Sequence, residues 1–252
     1  GKDIVKALAA KCDIVVESFR PGVANRLGVG YESLKRVNPQ IIMCSISGYG
    51  QTGPLASVPG HDINYIARAG ILDLLSSPDG TPNIPGVQIA DVAGGALSAA
   101  TGIFAALLER EQRGVGRFLD ISMTRSAMSL AASSSSSVGW ESNPSPSEGF
   151  LTGAVPCYRV YKTKDSRFMA LGALEPKFFA TFCEVMGAPH LTDQVYATGD
   201  QAKKVIEELE KLFLAKTQAQ WVQAFKGHEV CCEPVRTVAE ALNDKELELT
   251  HA

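Results

Sequence analysis

Two short apolar runs, Ile14-Val15-Val16 and Ile41-Ile42-Met43-Cys44, each follow a stretch of helical period and each run into a turn; together they constrain the fold more than any other feature of the chain. Runs this short, rich in β-branched residues and lacking polar alternation, are those of strands covered on both faces. From Ile4 to Lys11 the pattern is helical. Asp13 to Glu17 then reads as a buried strand that ends in the turn Ser18-Phe19-Arg20-Pro21-Gly22. Helices around Val23 to Leu27 and Tyr31 to Val37 lead into a second buried strand, Gln40 to Ile46. Helices alternating with apolar strands specify an α/β fold with a parallel sheet.

The next segment, Ser47-Gly48-Tyr49-Gly50-Gln51-Thr52-Gly53-Pro54, is too rich in glycine for anything but a loop at the end of that strand. Loops at the carboxyl ends of parallel strands are where such folds hold ligands. Gly60-His61-Asp62 follows and opens an apolar helical stretch, Ile63 to Leu75; Asp91 opens a long helix, Val92 to Gln112. The early face of that helix, with Gly94, Gly95, Ala96, Ala99, Ala100 and Gly102, permits close helix packing. Asp120 to Met123 reads as a strand and Ser126 to Ala132 as a helix. The serine run Ser133 to Ser137 and Asn143-Pro144-Ser145-Pro146-Ser147 make a low-complexity connector. The predicted organisation is a large Rossmann-like domain over 1–132, a linker over 133–148 and a smaller α+β domain over 149–252. In the latter, Val155 to Thr163 and Phe168 to Leu174 alternate as a hairpin pair, and Glu175-Pro176 opens a helix to Met186. Helices over Lys203 to Lys216 and Gln218 to Lys226, a strand Glu229 to Cys232 and a helix from Val238 to Leu242 complete it.

Composition narrows the function. The 252 residues carry a net charge of -3 with lysines and arginines scattered singly, which argues against a nucleic-acid partner. Six cysteines (Cys12, Cys44, Cys157, Cys183, Cys231, Cys232) lack C-x-x-C spacing and read as reduced core thiols of a cytosol-like compartment. No run approaches roughly 18 uninterrupted apolar residues, and no signal peptide is visible, so neither a membrane span nor a targeting signal is expected. Adjacent Cys231 and Cys232, with His228 alone nearby, give no metal site. Gly28-Val29-Gly30 is too short for a dinucleotide fingerprint, and no G-x-S-x-G elbow is present.

Three candidate acid/base groups, His61, Asp91 and Glu175, stand at predicted helix starts. Unpaired N–H groups there stabilise a carboxylate and favour neutral imidazole. Taken singly, each has a plainer reading: Asp91 as an N-cap, His61 as a loop histidine, Glu175 as the first-turn acid of its helix.

In company they do not stay anonymous. Gly60-His61-Asp62-Ile63-Asn64-Tyr65, preceded by Gly48 to Pro54 and by Phe19-Arg20-Pro21-Gly22-Val23, resembles the class III acyl-CoA transferase and racemase family, and within it the 2-methylacyl-CoA racemases. Similarity continues through Ala90-Asp91-Val92-Ala93-Gly94-Gly95, Gly114-Val115-Gly116-Arg117, Asp120-Ile121-Ser122-Met123 and Leu171 to Phe178, and thins after about Gly187. The resemblance implies that His61 and Asp91 are the two catalytic bases and that Glu175 hydrogen-bonds the histidine. It implies that Arg20 and Arg26 contact coenzyme A, and that the segment Gly60, Asp62, Asn64 and Tyr65 lines the thioester. It further implies an interlocked homodimer, an acyl-CoA thioester as substrate with no separate cofactor, and a place in fatty acid metabolism in the cytoplasm or an organelle matrix, mitochondrial or peroxisomal in a eukaryote.

Such a racemase inverts the 2-methyl centre by removing a proton on one face of a planar enolate and returning one on the other, so two bases flank the substrate. N–H groups at the helix start after Gly60 suit the enolate oxygen, at about 3 kcal/mol per donor; Asp62 is expected mainly to cap that helix. The alternative within the family is a CoA transferase in which Asp91 attacks the thioester and forms a mixed anhydride; that mechanism does not need His61. A third expectation, a catalytically silent CoA-binding homologue or a piece of a longer enzyme, comes from the ends of the chain, since the family's first strand and helix and its return segment are not in it. Leu151 to Tyr158 departs from the family's pattern, which leaves the acyl chain unassigned.

Overall fold

The computed structural model describes residues 1–77, 79–132 and 149–245. The chain divides into two compact units, Gly1–Asn143 and Pro144–Ala252. The expected linker, 133–148, lies outside the described residues, and so does the end of the chain after 245.

The first unit is built on a parallel sheet of three strands, β1 (Ile14–Glu17), β2 (Ile42–Ser47) and β3 (Phe118–Ser122), in the order β1-β2-β3. Register pairs Val15 with Met43 and Cys44 with Leu119. Because side chains alternate across a strand, this register sorts the residues into two faces. Val15, Met43 and Phe118 share one face with Ala9 of α1 (Lys2–Ala9), Ala24 of α2 (Val23–Arg26) and Leu34 of α3 (Tyr31–Lys35). Ile46, Leu119 and Ile121 turn to the other face, where Gly95 and Gly102 of a long helix approach them. Helices on both faces leave β2 almost wholly buried, Ser45 and Ser47 included, which is why its sequence shows no alternation. Val16, on the second face but at the outer strand, is exposed.

Several expected elements take other bounds. The helix expected over Ile63 to Leu75 is broken into α4 (Asp62–Arg68) and α5 (Ile71–Leu74) by Gly70 in the left-handed region at φ 77°. The long helix begins at Ala90, not after Asp91: its first turns, Ala90–Leu97, are π-helical and pass directly into α6 (Ser98–Arg113). It is the one helix among the described residues long and apolar enough to cross a membrane by length and composition, its charges lying at its two ends, at Asp91 and from Glu109 onward. The helix expected over Ser126 to Ala132 starts earlier, as α7 (Met123–Met128), with Ser122 accepting the Arg125 N–H as its N-cap.

In the second unit, β4 (Tyr158–Lys162), β5 (Phe168–Gly172) and β6 (Cys232–Pro234) form an antiparallel sheet, β4 and β5 pairing as the expected hairpin. The strand expected from Glu229 starts only at Cys232, because Cys231 sits in the left-handed region at φ 47°. Against the sheet pack α8 (Pro176–Met186), α9 (Gly199–Phe213) and α10 (Gln218–Phe225). Their core is aromatic: Tyr161 stacks on Phe213 at 4.8 Å, and Phe182 and Trp221 close around the same ring. Both polar tips are satisfied, Tyr161 donating to the Pro156 carbonyl and the Trp221 indole to the Phe213 carbonyl. Of the six free cysteines, four are buried as core thiols, but Cys12 and Cys231 are exposed.

The last helix among the described residues, α11 (Val238–Leu242), is bound by charge to Arg167, the residue before β5. Arg167 makes a bidentate pair with Glu240 at 2.6 and 2.7 Å, and Glu240 also accepts the Thr237 N–H of its own capping box. The guanidinium, first, and the Thr237 N–H hold the Glu240 carboxyl down at about 2. A carboxylate with a depressed folded-state pKa adds stability above its unfolded value and loses it as pH falls through the folded one. Glu240→Gln therefore lowers the thermal midpoint at pH 7, and the gap to the parent narrows through the ordinary glutamate range and closes near about 2, as calorimetry across pH would read.

Candidate active site

The loop after β2 is shaped by contacts that leave no room for a side chain at two of its glycines. A Cβ on Gly48 would lie 2.3 Å from the Tyr65 ring, and one on Gly60 would lie 2.8 Å from it. Tyr65 can therefore lie against both segments. Its hydroxyl donates to the Gly60 carbonyl at 2.5 Å, and its ring meets Tyr49 edge-on at 5.2 Å. The Gly48 carbonyl, in turn, accepts the backbone N–H and hydroxyl of Thr124 at the start of α7. His61 follows as the N-cap of α4, in extended conformation, with its N–H donated to Asn64 Oδ1 at 3.0 Å. Asn64 thus fixes the backbone of the histidine.

Asp91 is brought to the same place by the π-helical segment. Gly94 packs so closely on α7 that a Cβ there would stand 2.5 Å from the Met123 carbonyl oxygen. Wider π turns are rare and recur at functional sites. The result is a cavity of about 450 Å³ whose wall includes Arg20, Tyr49, Gly60, His61, Tyr65 and Asp91. It opens where the sheet's carboxyl ends meet the loops, as the fold class requires.

Of the residues expected at the site, the structure therefore places His61, Asp91, Arg20, Gly60 and Tyr65 around one cavity. Arg26, Asp62 and Asn64 are not among its lining residues. Asp62 is the first residue of α4, not its cap, and its Oδ1 accepts the backbone N–H of Asp91 at 2.9 Å. Asp91 is the second residue of its helix and likewise not an N-cap. Glu175 is the N-cap of α8 in the second unit, exposed, with no side-chain hydrogen bond to that helix and with Pro176 at its first position. Sequence reasoning did not single out Val58 and Met123 as walls of the cavity. Met123 carried a signal, since it directly follows the third apolar strand; Val58 carried none.

Electrostatics distinguish Asp91 from an ordinary surface aspartate. Partial burial in the cavity wall raises its carboxyl above the usual aspartate range; the neighbouring Asp62 carboxylate raises it further and His61 draws it back. Burial also raises the Tyr65 phenol, helped by Tyr49 and Asp91 and opposed by Arg20. A carboxyl poised toward accepting a proton, beside an imidazole and a cation in one wall, is equipped for proton transfer or for attack on an acyl group.

An acid/base cavity at the carboxyl edge of a doubly covered parallel sheet defines an enzyme-type α/β domain. Comparison with known proteins gives its family: the family description CoA-transferase family III matches residues 1–251, and the chain belongs to that family. It is 36% identical to the alpha-methylacyl-CoA racemase of Mus musculus, over 96% of this chain and 64% of the racemase. It is 32% identical to the succinyl-CoA:glutarate CoA-transferase of Mus musculus, over 98% of this chain and 57% of that protein. Among solved structures, a CAIB/BAIF family protein from Brucella suis matches with a TM-score of 0.79 at 27% identity, covering 98% of this chain and 66% of that one. The chain thus spans under two thirds of the length of the first of these relatives.

The approach of Gly94 to α7 gives a direct check on how Asp91 is placed. Gly94→Ala sets a methyl against a backbone carbonyl that no side-chain rotation can move, and costs about 1–3 kcal/mol in urea unfolding.

Proposed function

We propose that the protein is a 2-methylacyl-CoA racemase, inverting carbon 2 of the acyl group by proton transfer through an enolate. The observation that carries the reading is that His61 and Asp91, from the starts of two different helices, line one cavity. One base takes the proton from carbon 2, the electron pair passes into the thioester carbonyl to give the enolate, and the other base returns a proton to the opposite face. The bases exchange roles for the reverse direction, so no co-reactant is consumed. His61 acts as neutral imidazole or imidazolium, Asp91 as carboxylate or carboxylic acid. Its raised carboxyl brings the two acidities closer, which proton exchange at carbon 2 requires in both directions. The first-turn N–H groups of α4 are assigned to the enolate oxygen, and Arg20, in the cavity wall, to coenzyme A. For Arg26, and for Glu175 as the partner of a protonated His61 within a homodimer, the support is their place in the family's motifs.

A transferase is the second reading, favoured by the identity to the succinyl-CoA:glutarate CoA-transferase. There Asp91 Oδ attacks the thioester carbon and the coenzyme A thiolate leaves; the thiolate attacks the aspartyl carbonyl of the anhydride and releases the donor acid. The acceptor carboxylate then displaces the thiolate to form a second anhydride, whose acceptor carbonyl the thiolate attacks to give the new thioester and free Asp91. His61 in the cavity weighs against it, because that sequence uses no second base.

The reading is tested by incubating one enantiomer of a 2-methylacyl-CoA with the protein in deuterated water. Deuterium uptake at carbon 2 with loss of optical purity, followed by NMR, is expected, and the loss of optical purity is expected to vanish on Asp91→Asn. Transfer of coenzyme A to an added free acid, without deuterium uptake, would replace racemisation by the transferase mechanism.

A further inference from the structure

Asp62 does not line the cavity, yet it is tied to it. In the first turn of α4 its side chain turns away from its own helix and accepts the Asp91 backbone N–H, across 29 residues of sequence. An N–H in the first turn of a helix has no partner within that helix, so the bond satisfies a donor that the π-helical start leaves open. The neighbour of one proposed base thereby grips the backbone of the other.

We infer that Asp62 is a positioning residue for Asp91: its carboxylate locks the start of the π-helical segment to α4, so that the relative placement of His61 and Asp91 is fixed by one hydrogen bond. This rests on the racemase reading for its catalytic consequence, though not for the bond itself. The charge matters as well as the bond. Asp62 and His61 on α4 are the charged or titratable groups that act on the Asp91 carboxyl, one raising and one lowering its proton affinity, with the Tyr65 phenol behind them. On α7, which packs on the same segment, Arg125 is directed at Gly50, 2.7 Å from where a Cβ would stand. On β3, Asp120 is taken up by the Gln51 N–H. Neither of these offsets Asp62.

Two substitutions separate the bond from the charge. Asp62→Asn keeps an acceptor oxygen and removes the charge; Asp62→Ala removes both. Asp62→Ala is expected to lower kcat by on the order of 10- to 100-fold with a smaller change in KM, since misplacement of a catalytic group by about 1 Å costs about that much. Asp62→Asn is expected to recover most of kcat while the acid limb of kcat/KM moves to lower pH. Titration of the Asp91 carboxyl carbon by NMR, with no substrate present, is expected to move the same way in Asp62→Asn. If Asp62→Ala fails to fold, the titration and pH profile of Asp62→Asn decide alone. Equal losses in both variants with an unmoved acid limb and an unmoved titration would overturn the inference, as would full activity in Asp62→Ala. Asp91→Asn, run alongside, separates the two claims: if it keeps racemase activity the function falls, whereas the titration still reports on Asp62.

Discussion

Glycine at position 94 lets the helix that carries Asp91 lie against the Met123 carbonyl at the head of α7, and the rest of the site is arranged around that contact. The same helical head is held from three sides. Met123 packs against it, Asp62 accepts the Asp91 backbone N–H, and Gly95 brings it onto Ile46 of the central strand. Thr124, one residue beyond the contact, binds the carbonyl of Gly48 twice, so that the glycine-rich loop is fixed to the same short helix. Tyr65 then relays that loop to Gly60, the residue before the histidine. A histidine and an aspartate 30 positions apart are thus referred to a common frame of backbone contacts, the kind of support that holds a reactive pair in place.

Function follows from what this frame does to proton affinity. Partial burial disfavours ionisation of Asp91, and the neighbouring Asp62 carboxylate adds to the effect, so the structure keeps Asp91 readier to accept a proton than a solvent-exposed aspartate. Arg20 places a positive charge in the same wall. The second unit keeps its own aromatic core and its own helix caps, and presents Glu175 at an exposed helix start.

Much of this was legible in the residues. The apolar runs gave the strands of the parallel sheet to within a residue or two, because β2 is covered on both faces and has no reason to alternate. The hairpin of β4 and β5 and the helix over Val238–Leu242 were legible for the opposite reason, since they are half-exposed and their pattern shows it. His61 and Asp91 were visible through the family motifs around them. What the sequence hid was contact between distant backbones: the π turns at Ala90–Leu97, the Asp62 to Asp91 bond, and Val58 in the cavity wall. Local pattern carries no signal for a hydrogen bond across 29 residues. It also placed Asp62 as a helix cap, a role that His61 takes because the helix begins one residue earlier than its acid suggests. Gly70 and Cys231 show the other limit, where a left-handed residue cuts an element whose apolar pattern runs on.

The central claim is that two different bases address opposite faces of one carbon. It is tested most directly by following exchange of the carbon 2 proton with deuterated water for each enantiomer of a 2-methylacyl-CoA separately, in His61→Gln and in Asp91→Asn. The account predicts that each variant still exchanges one enantiomer, a different one in each case, and that neither racemises. Exchange of the same enantiomer by both variants, or of both enantiomers by either, would contradict it.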